Sequence, residues 1–332
     1  MCSISVILPF YNAEVGLKGA IQSILNQTYQ DFELILVNNN SSDKSFEIVS
    51  HLAHEDLRIK LVAETKQGVV HAANNGMKAA KGKYIARMDA DDIAHPERLK
   101  QQFRHLEQNP QVSISTSKVK YKTKEDGLTE FSHFVDWSNQ LISTHDIYHN
   151  RFVEFPIVNP TLLFRRSIID KIGYLKNGHF PEDYEWFLRA IDRGYLLEKL
   201  PIPLLEWNDS SSRITRTDSR YNSDAFFNVK TNYLAKHLNK IKQTHVWIWG
   251  AGKLAIKRSQ LLLNYDIKIH GYIDIKNNKE VVDYPCIHFE DLDINTQTFV
   301  IRYVTNRNKR DEIRAFLNSK GYQEGINYII AG

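Results

Sequence analysis

Short apolar runs alternate with amphipathic stretches along the first hundred residues. Four runs have the length and the polar boundaries of buried strands: 4–9, 32–37, 57–63 and 84–88. Three stretches between them have the length of helices, and the first repeats apolar residues at helical spacing: 13–26, 44–54 and 68–80. This alternation predicts an α/β fold, with a mostly parallel sheet and helices on both faces.

The pattern loosens beyond Pro110. Two strands are predicted at 112–121 and 160–165, and a helix begins near 180–183 and ends near Arg193. Since loops vary with substrate, this half is expected to face an acceptor. A last helix is predicted over 221–238, followed by a linker at 239–244.

A second βα pattern begins after that linker. A strand at 245–249 leads into Gly250-Ala251-Gly252, a helix at 253–263 and a strand at 268–273 that ends at Asp274. Glycines at these places and an acid about 20 residues further on are typical of a dinucleotide-binding half. We therefore predict domains at 1–240 and 243–332, the second small and Rossmann-like. Gly250, Gly252 and Asp274 form a candidate nucleotide site, although such glycines also serve only close helix-to-strand packing.

Composition narrows the class of protein. A chain of 332 residues with 42% hydrophobic and 25% charged residues can bury a sizeable core. No long apolar run or signal peptide is evident, and only Cys2 and Cys286 are present, so a cytoplasmic location is expected, with the inner face of the membrane as a variant.

Charge says less about partners. A net charge of +4 gives no reason to expect nucleic acid binding. The basic residues between Arg213 and Lys242 fit a solvated face, an anionic glycan or lipid headgroups, so peripheral membrane association stays open. The oligomeric state is not predicted.

Three carboxylates follow the strand at 84–88: Asp89, Asp91 and Asp92. Strand ends are where open α/β sheets bind ligands, and clustered acids repel one another unless a cation or solvent relieves them. Oxygen ligands suit Mg²⁺ or Mn²⁺. An EF-hand is excluded, because Ala94 and Lys100 stand where its Gly and Glu belong. A solvated acidic loop is the alternative. Pro96 is predicted to open the next helix at its first turn.

Several motifs in order give the first 215 or so residues a resemblance to the inverting glycosyltransferases of family 2, which have the GT-A fold. The matching segments are Ser-Val-Ile-Leu-Pro-Phe-Tyr-Asn at 5–12, Ser-Ile-Leu-Asn-Gln-Thr-Tyr at 23–29, Phe-Glu-Leu-Ile-Leu-Val at 32–37, the acidic cluster with 96–99, Asn-Pro-Thr-Leu-Leu-Phe-Arg-Arg at 159–166, and Pro-Glu-Asp-Tyr-Glu-Trp-Phe-Leu-Arg at 181–189. Each motif alone is weak, but their order makes the resemblance specific.

The resemblance implies a nucleotide-diphosphate sugar as donor, with a UDP-sugar favoured. Asp89 and Asp91 would bind a divalent metal, Mn²⁺ or Mg²⁺, that bridges the two phosphates. The other implied donor-side residues are Pro9, Tyr11, Asn12, Asn39, Gly68 and Asn74.

The resemblance also implies that Asp183 is the general base, which takes the acceptor hydroxyl's proton in a single displacement. Taken alone, Glu182 and Asp183 could be simple N-terminal helix charges. Glu182, Trp207 and Arg213 are the expected acceptor-side residues, and the acceptor is expected to be a glycan or a lipid-linked glycan.

Departures from the family pattern leave the donor base undetermined. Asn38 and Asn39 replace a common acidic pair, Ala73 stands where many members have Arg, and Asn159 where many have His. Two alternatives stay open. A sugar nucleotidyltransferase would be expected to carry a Gly-rich basic loop after the first strand, which residues 9–12 do not offer. A non-catalytic glycan-binding protein would explain the lost acids.

Overall fold

The computed structural model describes residues 2–123, 130–277, 279–293, 298–304, 306 and 308–332. The chain divides into two compact units: the first holds Met1–Ile147 and Ile157–Asn222, the second Tyr148–Pro156 and Ser223–Gly332. One helix, Ser223–Lys240, belongs to the second unit, whereas the sequence analysis placed it in the first domain. The predicted domain boundaries themselves stay a prediction.

An eight-stranded mixed sheet forms the first unit. In chain order its strands are β1 (Ile4–Phe10), β2 (Phe32–Asn38), β3 (Ile59–Ala63), β4 (Tyr84–Arg87), β5 (Ile93–Ala94), β6 (Val112–Thr123), β7 (Leu163–Arg165) and β8 (Leu196–Asp209). The spatial order is β3-β2-β1-β4-β7-β6-β8-β5. β1 to β4 are parallel, β7 is antiparallel to both of its neighbours, and β6 and β8 are parallel. The predicted mostly parallel sheet is confirmed.

Helices connect these strands. They are α1 (Leu17–Leu25), α2 (Ser45–Glu55), α3 (Val69–Ala79), α4 (Arg98–Gln108), α5 (Glu130–Gln140), α6 (Thr144–Asn150, which continues into the second unit), α7 (Ser167–Ile172), α8 (Glu182–Asp192) and α9 (Ile214–Thr217). The central strands are apolar on both faces because the sheet is covered on both sides, and residues such as Val6, Leu34 and Ile85 are fully buried.

The region after the acidic cluster differs from the prediction. Ile93–Ala94 forms the short strand β5, which pairs with β8, and α4 begins only at Arg98. Pro96 therefore lies in the turn before α4 and does not open the helix. The bond from Thr28 N to the Pro96 carbonyl, 2.9 Å, fixes this turn against the chain that follows α1.

The second unit contains a five-stranded sheet in which every pairing is parallel. Its strands are β9 (His245–Trp249), β10 (Lys268–Asp274), β11 (Cys286–His288), β12 (Phe299–Arg302) and β13 (Tyr328–Ile330), in the order β11-β10-β9-β12-β13. Its helices are α10 (Ser223–Lys240), α11 (Lys253–Ser259) and α12 (Asn308–Ser319). The strand order reverses between β9 and β12, as in doubly wound nucleotide-binding folds. No helix within the described ranges is long and apolar enough to cross a membrane.

Candidate active site

The acidic loop follows β4 directly. Each of Asp89, Asp91 and Asp92 offers an oxygen, and these oxygens lie within 4.8 Å of one another. Asp91 is exposed, Asp89 is partly buried, and Asp92 is fully buried. The predicted meeting of three carboxylates at a strand end is therefore present in the structure.

The chemistry of this loop fits a hard divalent cation. Desolvation by the surrounding chain, opposed in part by Arg213, raises the pKa of Asp91 although its carboxylate still reaches solvent. Burial together with the charge of Asp91 raises the pKa of Asp92 well above its ordinary value. One oxygen of Asp92, Oδ2, is buried without a hydrogen-bond partner. Crowded carboxylates with a free buried oxygen are relieved by a metal ion, and Asp89 and Asp91 are the residues that would hold it.

Two arginines fix the ends of the acidic loop. Arg98 is fully buried in α4, and its Nη2 donates to the Arg87 carbonyl at 2.7 Å, which ties the end of β4 to the helix. Arg213 Nη1 lies 3.5 Å from Asp91 Oδ2 and 4.0 Å from Asp92 Oδ1. The loop is thus supported by a cation on each side, which offsets its negative charge.

The end of β8 also holds the acidic loop. Asn208 donates its backbone N–H to Asp92 Oδ1 at 2.9 Å and its side-chain amide to the Asp91 carbonyl at 2.7 Å. Residues more than a hundred positions apart in the chain therefore set the shape of the loop.

Glu182 and Asp183 lie in the first turn of α8. Both oxygens of Glu182 accept from the Tyr221 hydroxyl, at 2.9 and 2.8 Å, and Asp183 Oδ1 accepts from the Tyr184 N–H at 2.7 Å. Glu182 is buried, whereas Asp183 is only partly covered. Of the two acids, Asp183 is therefore the one that a bound molecule can reach.

Desolvation and like charge raise the pKa of Asp183 to about 8. The negative charge of Glu182 is the second cause, and the charge of Asp89 also contributes. The segment between Arg213 and Tyr221 contacts both regions, because Arg213 Nη1 lies 3.5 Å from Asp91 Oδ2 and the Tyr221 hydroxyl donates to Glu182. A shared site for Asp89 and Asp183 stays a prediction.

The predicted donor loops meet at the carboxyl ends of β1 and β2. Asn12 adopts a left-handed conformation with φ 46°, and its Oδ1 accepts from the Ser42 N–H at 2.8 Å. Tyr11 is 53% exposed, so its ring is available to a bound base. Pro9 pairs with Val37, one position before the β1–β2 pairing ends at Phe10 and Asn38.

Asn39, Gly68 and Asn74 have structural partners. Asn39 donates to the carbonyls of Glu64 and Lys66 and accepts from the Gly68 N–H at 2.7 Å. Gly68 has φ +132°, which favours glycine. Asn74 exchanges two hydrogen bonds with the backbone of Leu175. These contacts favour a positioning role for both amides over the direct donor contact predicted for them, which stays a prediction.

Trp207 and Arg213 form a stacked pair. Arg213 lies 4.5 Å above the Trp207 ring, and Trp207 is only 6% exposed among the rings of Tyr121, Phe131 and Phe134. The burial of Trp207 gives no support to a direct acceptor contact. Its place beneath Arg213 instead favours a role in directing that side chain to the acidic loop.

The candidate nucleotide residues of the second unit lie at the reversal of its strand order. Gly250 follows β9 with φ +119°, and a Cβ at Gly252 would meet nothing within 4 Å. Asp274 Oδ2 accepts from the Ala251 N–H at 3.0 Å and Oδ1 from the Lys276 N–H at 3.1 Å. The carboxylate of Asp274 thus shapes its own loop, and nucleotide binding there stays a prediction.

Sequence reasoning missed three residues of the site: Arg87, Arg98 and Tyr221. Tyr221 was predicted to begin a helix, but it ends the short 3₁₀ turn Ser219–Tyr221. Its contact with Glu182 spans 39 positions, and no local pattern announces it. In the sequence, Arg87 and Arg98 cannot be distinguished from exposed arginines, because their burial depends on neighbours that are distant in the chain.

Comparison with known proteins decides the family. Residues 5–173, about half of the chain, match the sequence profile of Glycosyl transferase family 2. The chain belongs to this family. The matched range includes the predicted donor loops and the acidic loop but ends before Asp183.

Individual glycosyltransferases are similar over most of this chain. An uncharacterized glycosyltransferase of Haemophilus influenzae is 29% identical over 72% of this chain and 75% of its own length. The O-antigen biosynthesis glycosyltransferase WbnJ of Escherichia coli is 28% identical over 71% of this chain and 89% of its own length. An uncharacterized glycosyltransferase of Methanocaldococcus jannaschii is 33% identical over 61% of this chain and 70% of its own length.

Solved glycosyltransferase structures share the GT-A fold with this chain. TarS of S. aureus in complex with UDP-GlcNAc gives a TM-score of 0.57 at 17% identity, covering 79% of this chain and 71% of TarS. The mannosyltransferase PcManGT of Pyrobaculum calidifontis, in complex with GDP-Man and Mn²⁺, gives a TM-score of 0.51 at 18% identity, covering 80% of this chain and 69% of PcManGT. The predicted fold class is confirmed.

Proposed function

We propose that this glycosyltransferase inverts the anomeric configuration as it transfers a sugar from a nucleotide-diphosphate sugar to an acceptor hydroxyl. One observation carries the proposal: the short segment that follows β8 contacts the acidic loop at one end and the start of α8 at the other. Arg213 Nη1 lies 3.5 Å from Asp91 Oδ2, and the Tyr221 hydroxyl donates to Glu182. A direct displacement has two requirements: the acidic loop must hold the diphosphate, and the carboxylate at the start of α8 must act as the base.

The proposed step balances without a covalent intermediate. Asp183 takes the proton of the acceptor hydroxyl while the hydroxyl oxygen forms a bond to the anomeric carbon. The bond from that carbon to the diphosphate oxygen breaks, and its electron pair leaves with the nucleoside diphosphate. The raised pKa of Asp183 suits this task, because a base with a pKa near the working pH accepts a proton readily.

Asp89 and Asp91 are proposed to hold a divalent metal, Mn²⁺ or Mg²⁺. When bound, such an ion stabilises the negative charge that grows on the leaving diphosphate. The Mn²⁺ in PcManGT supports this assignment by analogy. Asn208, Arg98 and Arg213 contribute by holding the acidic loop in its shape before any ligand arrives.

The donor is proposed to be a nucleotide sugar with its base beside Tyr11 and the loop at Asn12. TarS binds UDP-GlcNAc and PcManGT binds GDP-Man, which supports the class of donor. The UDP-sugar preference stays a prediction. The acceptor is proposed to be a glycan or a lipid-linked glycan in polysaccharide synthesis, which the similarity to WbnJ supports.

A thermal-shift panel tests the proposed function. The chain is heated with UDP-GlcNAc, GDP-Man and other nucleotide sugars, each with and without Mn²⁺, because a ligand that binds the native state raises the melting temperature. We expect at least one donor to stabilise the chain in a metal-dependent way, together with slow metal-dependent hydrolysis of that donor. Binding without any turnover would favour the non-catalytic glycan-binding alternative, and no binding would contradict the proposal.

A further inference from the structure

Arg87 is a buried cation beside the acidic loop of the candidate active site. It is the last residue of β4, two positions before Asp89, and its side chain is 5% exposed. Burial of a guanidinium is unfavourable unless its N–H groups find acceptors, so buried arginines are usually well bonded. The partners of Arg87 therefore need an explanation.

The described residues leave two nitrogens of Arg87 without partners. Nε and Nη1 are buried with no hydrogen bond, and Nη2 lies 3.9 Å from Asp89 Oδ1, which is beyond hydrogen-bond distance. Arg98, the other buried arginine of this region, donates to the Arg87 carbonyl, to Gln102 and to the Met88 sulfur. Arg87 thus differs from its neighbour, because two of its donor nitrogens have no acceptor.

The position of Arg87 joins the two halves of the site. Its charge also acts on Glu182, whose carboxylate is already occupied by the Tyr221 hydroxyl. Arg87 Nη2 thus lies 3.9 Å from Asp89 Oδ1, and its positive charge favours the ionised form of Glu182 at the start of α8. Under the proposed function, the sugar of the donor must lie between these same two groups.

We propose that Arg87 binds the transferred sugar, and that its guanidinium, which lacks acceptors for Nε and Nη1 before a donor binds, donates hydrogen bonds to hydroxyl oxygens of that sugar. Hydroxyls match the site better than a further anionic group does, because the Asp89 carboxylate already lies 3.9 Å from Nη2 and the negative charge of Glu182 also faces the guanidinium. This inference rests on the proposed function and assigns Arg87 to the sugar half of the donor.

The test compares each donor with its own nucleoside diphosphate, which lacks the sugar. Calorimetry in Mn²⁺ measures both affinities for the wild type, Arg87→Met and Arg87→Lys, using the nucleotide sugar that stabilises the wild type most in the thermal-shift panel. Arg58→Met is the control, since Arg58 pairs with Asp56 near the start of β3.

We expect Arg87→Met to weaken nucleotide-sugar binding by about ten- to a hundredfold, the effect of losing hydrogen bonds from a charged group, while binding of the nucleoside diphosphate changes less than about twofold. Arg87→Lys should lose less, because it keeps one charged donor. Arg58→Met should change neither affinity.

The inference would be overturned if the Arg87 variants changed both affinities equally or changed neither. It would also be overturned if circular dichroism showed that both Arg87 variants are unfolded, since the role of Arg87 would then be purely structural. If the wild type binds no nucleotide sugar at all, the proposed function fails instead. The two failures are therefore distinguishable.

Discussion

Asp183 lies where its neutral form is favoured, although the proposed reaction needs it ionised. Burial and the charges of Glu182 and Asp89 oppose ionisation, and the Tyr184 N–H gives only partial compensation. A cost of this kind is characteristic of groups that carry chemistry, because structural stability alone gives no reason to keep it. The consequence can be measured as stability.

The first prediction concerns stability against pH. The pKa of Asp183 is about 8 in the folded chain and lies near its ordinary value of 3.8 when unfolded. The unfolded chain releases this proton first, so Asp183 lowers stability progressively as pH rises from about 4 to about 8. Asp183→Asn should therefore melt at a higher temperature than the wild type, by an amount that grows over this window in metal-free buffer. A constant or reversed difference would contradict the assignment.

The second prediction concerns the pH dependence of the reaction. The charge of Glu182 raises the pKa of Asp183, so Glu182→Gln should lower that pKa while its amide oxygen still accepts from Tyr221. The acid limb of kcat/KM, which rises with pH as the base ionises, should move to lower pH. Glu55→Gln, on the surface of α2, is the control and should leave the profile in place. If the acid limb stayed at the same pH or moved to higher pH, the proposed effect of the Glu182 charge on the pKa of Asp183 would be refuted.

The sequence was enough to predict the charged residues at the ends of strands and helices. It was not enough to predict residues whose role depends on contacts with distant parts of the chain. Asp89, Asp91 and Asp183 follow from local motifs and the ends of elements. The occupied amides of Asn39 and Asn74 and the unused donors of Arg87 depend on chain segments that come together only in the folded state. The same holds for the contact of Tyr221 with Glu182.

At the scale of elements, hydrophobic periodicity located β1, β2 and β4 to within a residue or two, because buried parallel strands are continuous apolar runs. It missed β5, whose two residues pair with β8 across a long separation, and it missed β8 itself, a 14-residue strand that contains Pro201 and Pro203. It also extended α11 to residue 263, whereas the structure turns into a 3₁₀ helix, Gln260–Tyr265, after Ser259. Short and irregular elements carry too few positions to show a period.

The third prediction tests how α3 packs on the sheet. A Cβ at Gly76 would lie 2.4 Å from Ile7 Cγ2 and 2.9 Å from Val37 Cγ2. Gly76→Ala should lower the free energy of unfolding by about 1–3 kcal/mol, the usual effect of overpacking. Gly19→Ala is the matched control in α1, where the nearest atom is the flexible Ile93 Cδ1 at 3.3 Å, and it should be neutral or stabilising. Urea unfolding measures the free energy of unfolding of both variants. An equal change in the two variants would contradict the close packing of α3 on the sheet.

The fourth prediction concerns the segment that follows β8. Arg213 partly neutralises Asp91 and Asp92, so a metal ion must compete with it. Arg213→Gln should lower the melting temperature without metal and increase the stabilisation by Mn²⁺, because the ion then meets carboxylates without a counter-charge. Arg58→Gln should change neither. A smaller Mn²⁺ shift in Arg213→Gln would show that Arg213 supports metal binding and does not compete with it.

At the scale of the whole molecule, the βα alternation was enough to predict two α/β folds, and the sheet orders agree with that expectation. The pairing of β6 with β8 was beyond prediction, because these parallel strands are separated by a long, irregular stretch with little periodicity. That pairing carries Asn208 and Arg213 to the acidic loop. The candidate site is therefore a product of the complete sheet and not of any one motif.

The most direct test of the central claim is the turnover of Asp183→Asn set beside its donor affinity. The proposed base acts on the acceptor, whereas the donor is held at the acidic loop. We therefore expect calorimetric binding of the preferred nucleotide sugar with Mn²⁺ to stay within about threefold of wild type, while kcat falls by about 10²- to 10⁴-fold, as is usual for loss of a general base. Wild-type turnover in Asp183→Asn would contradict the account.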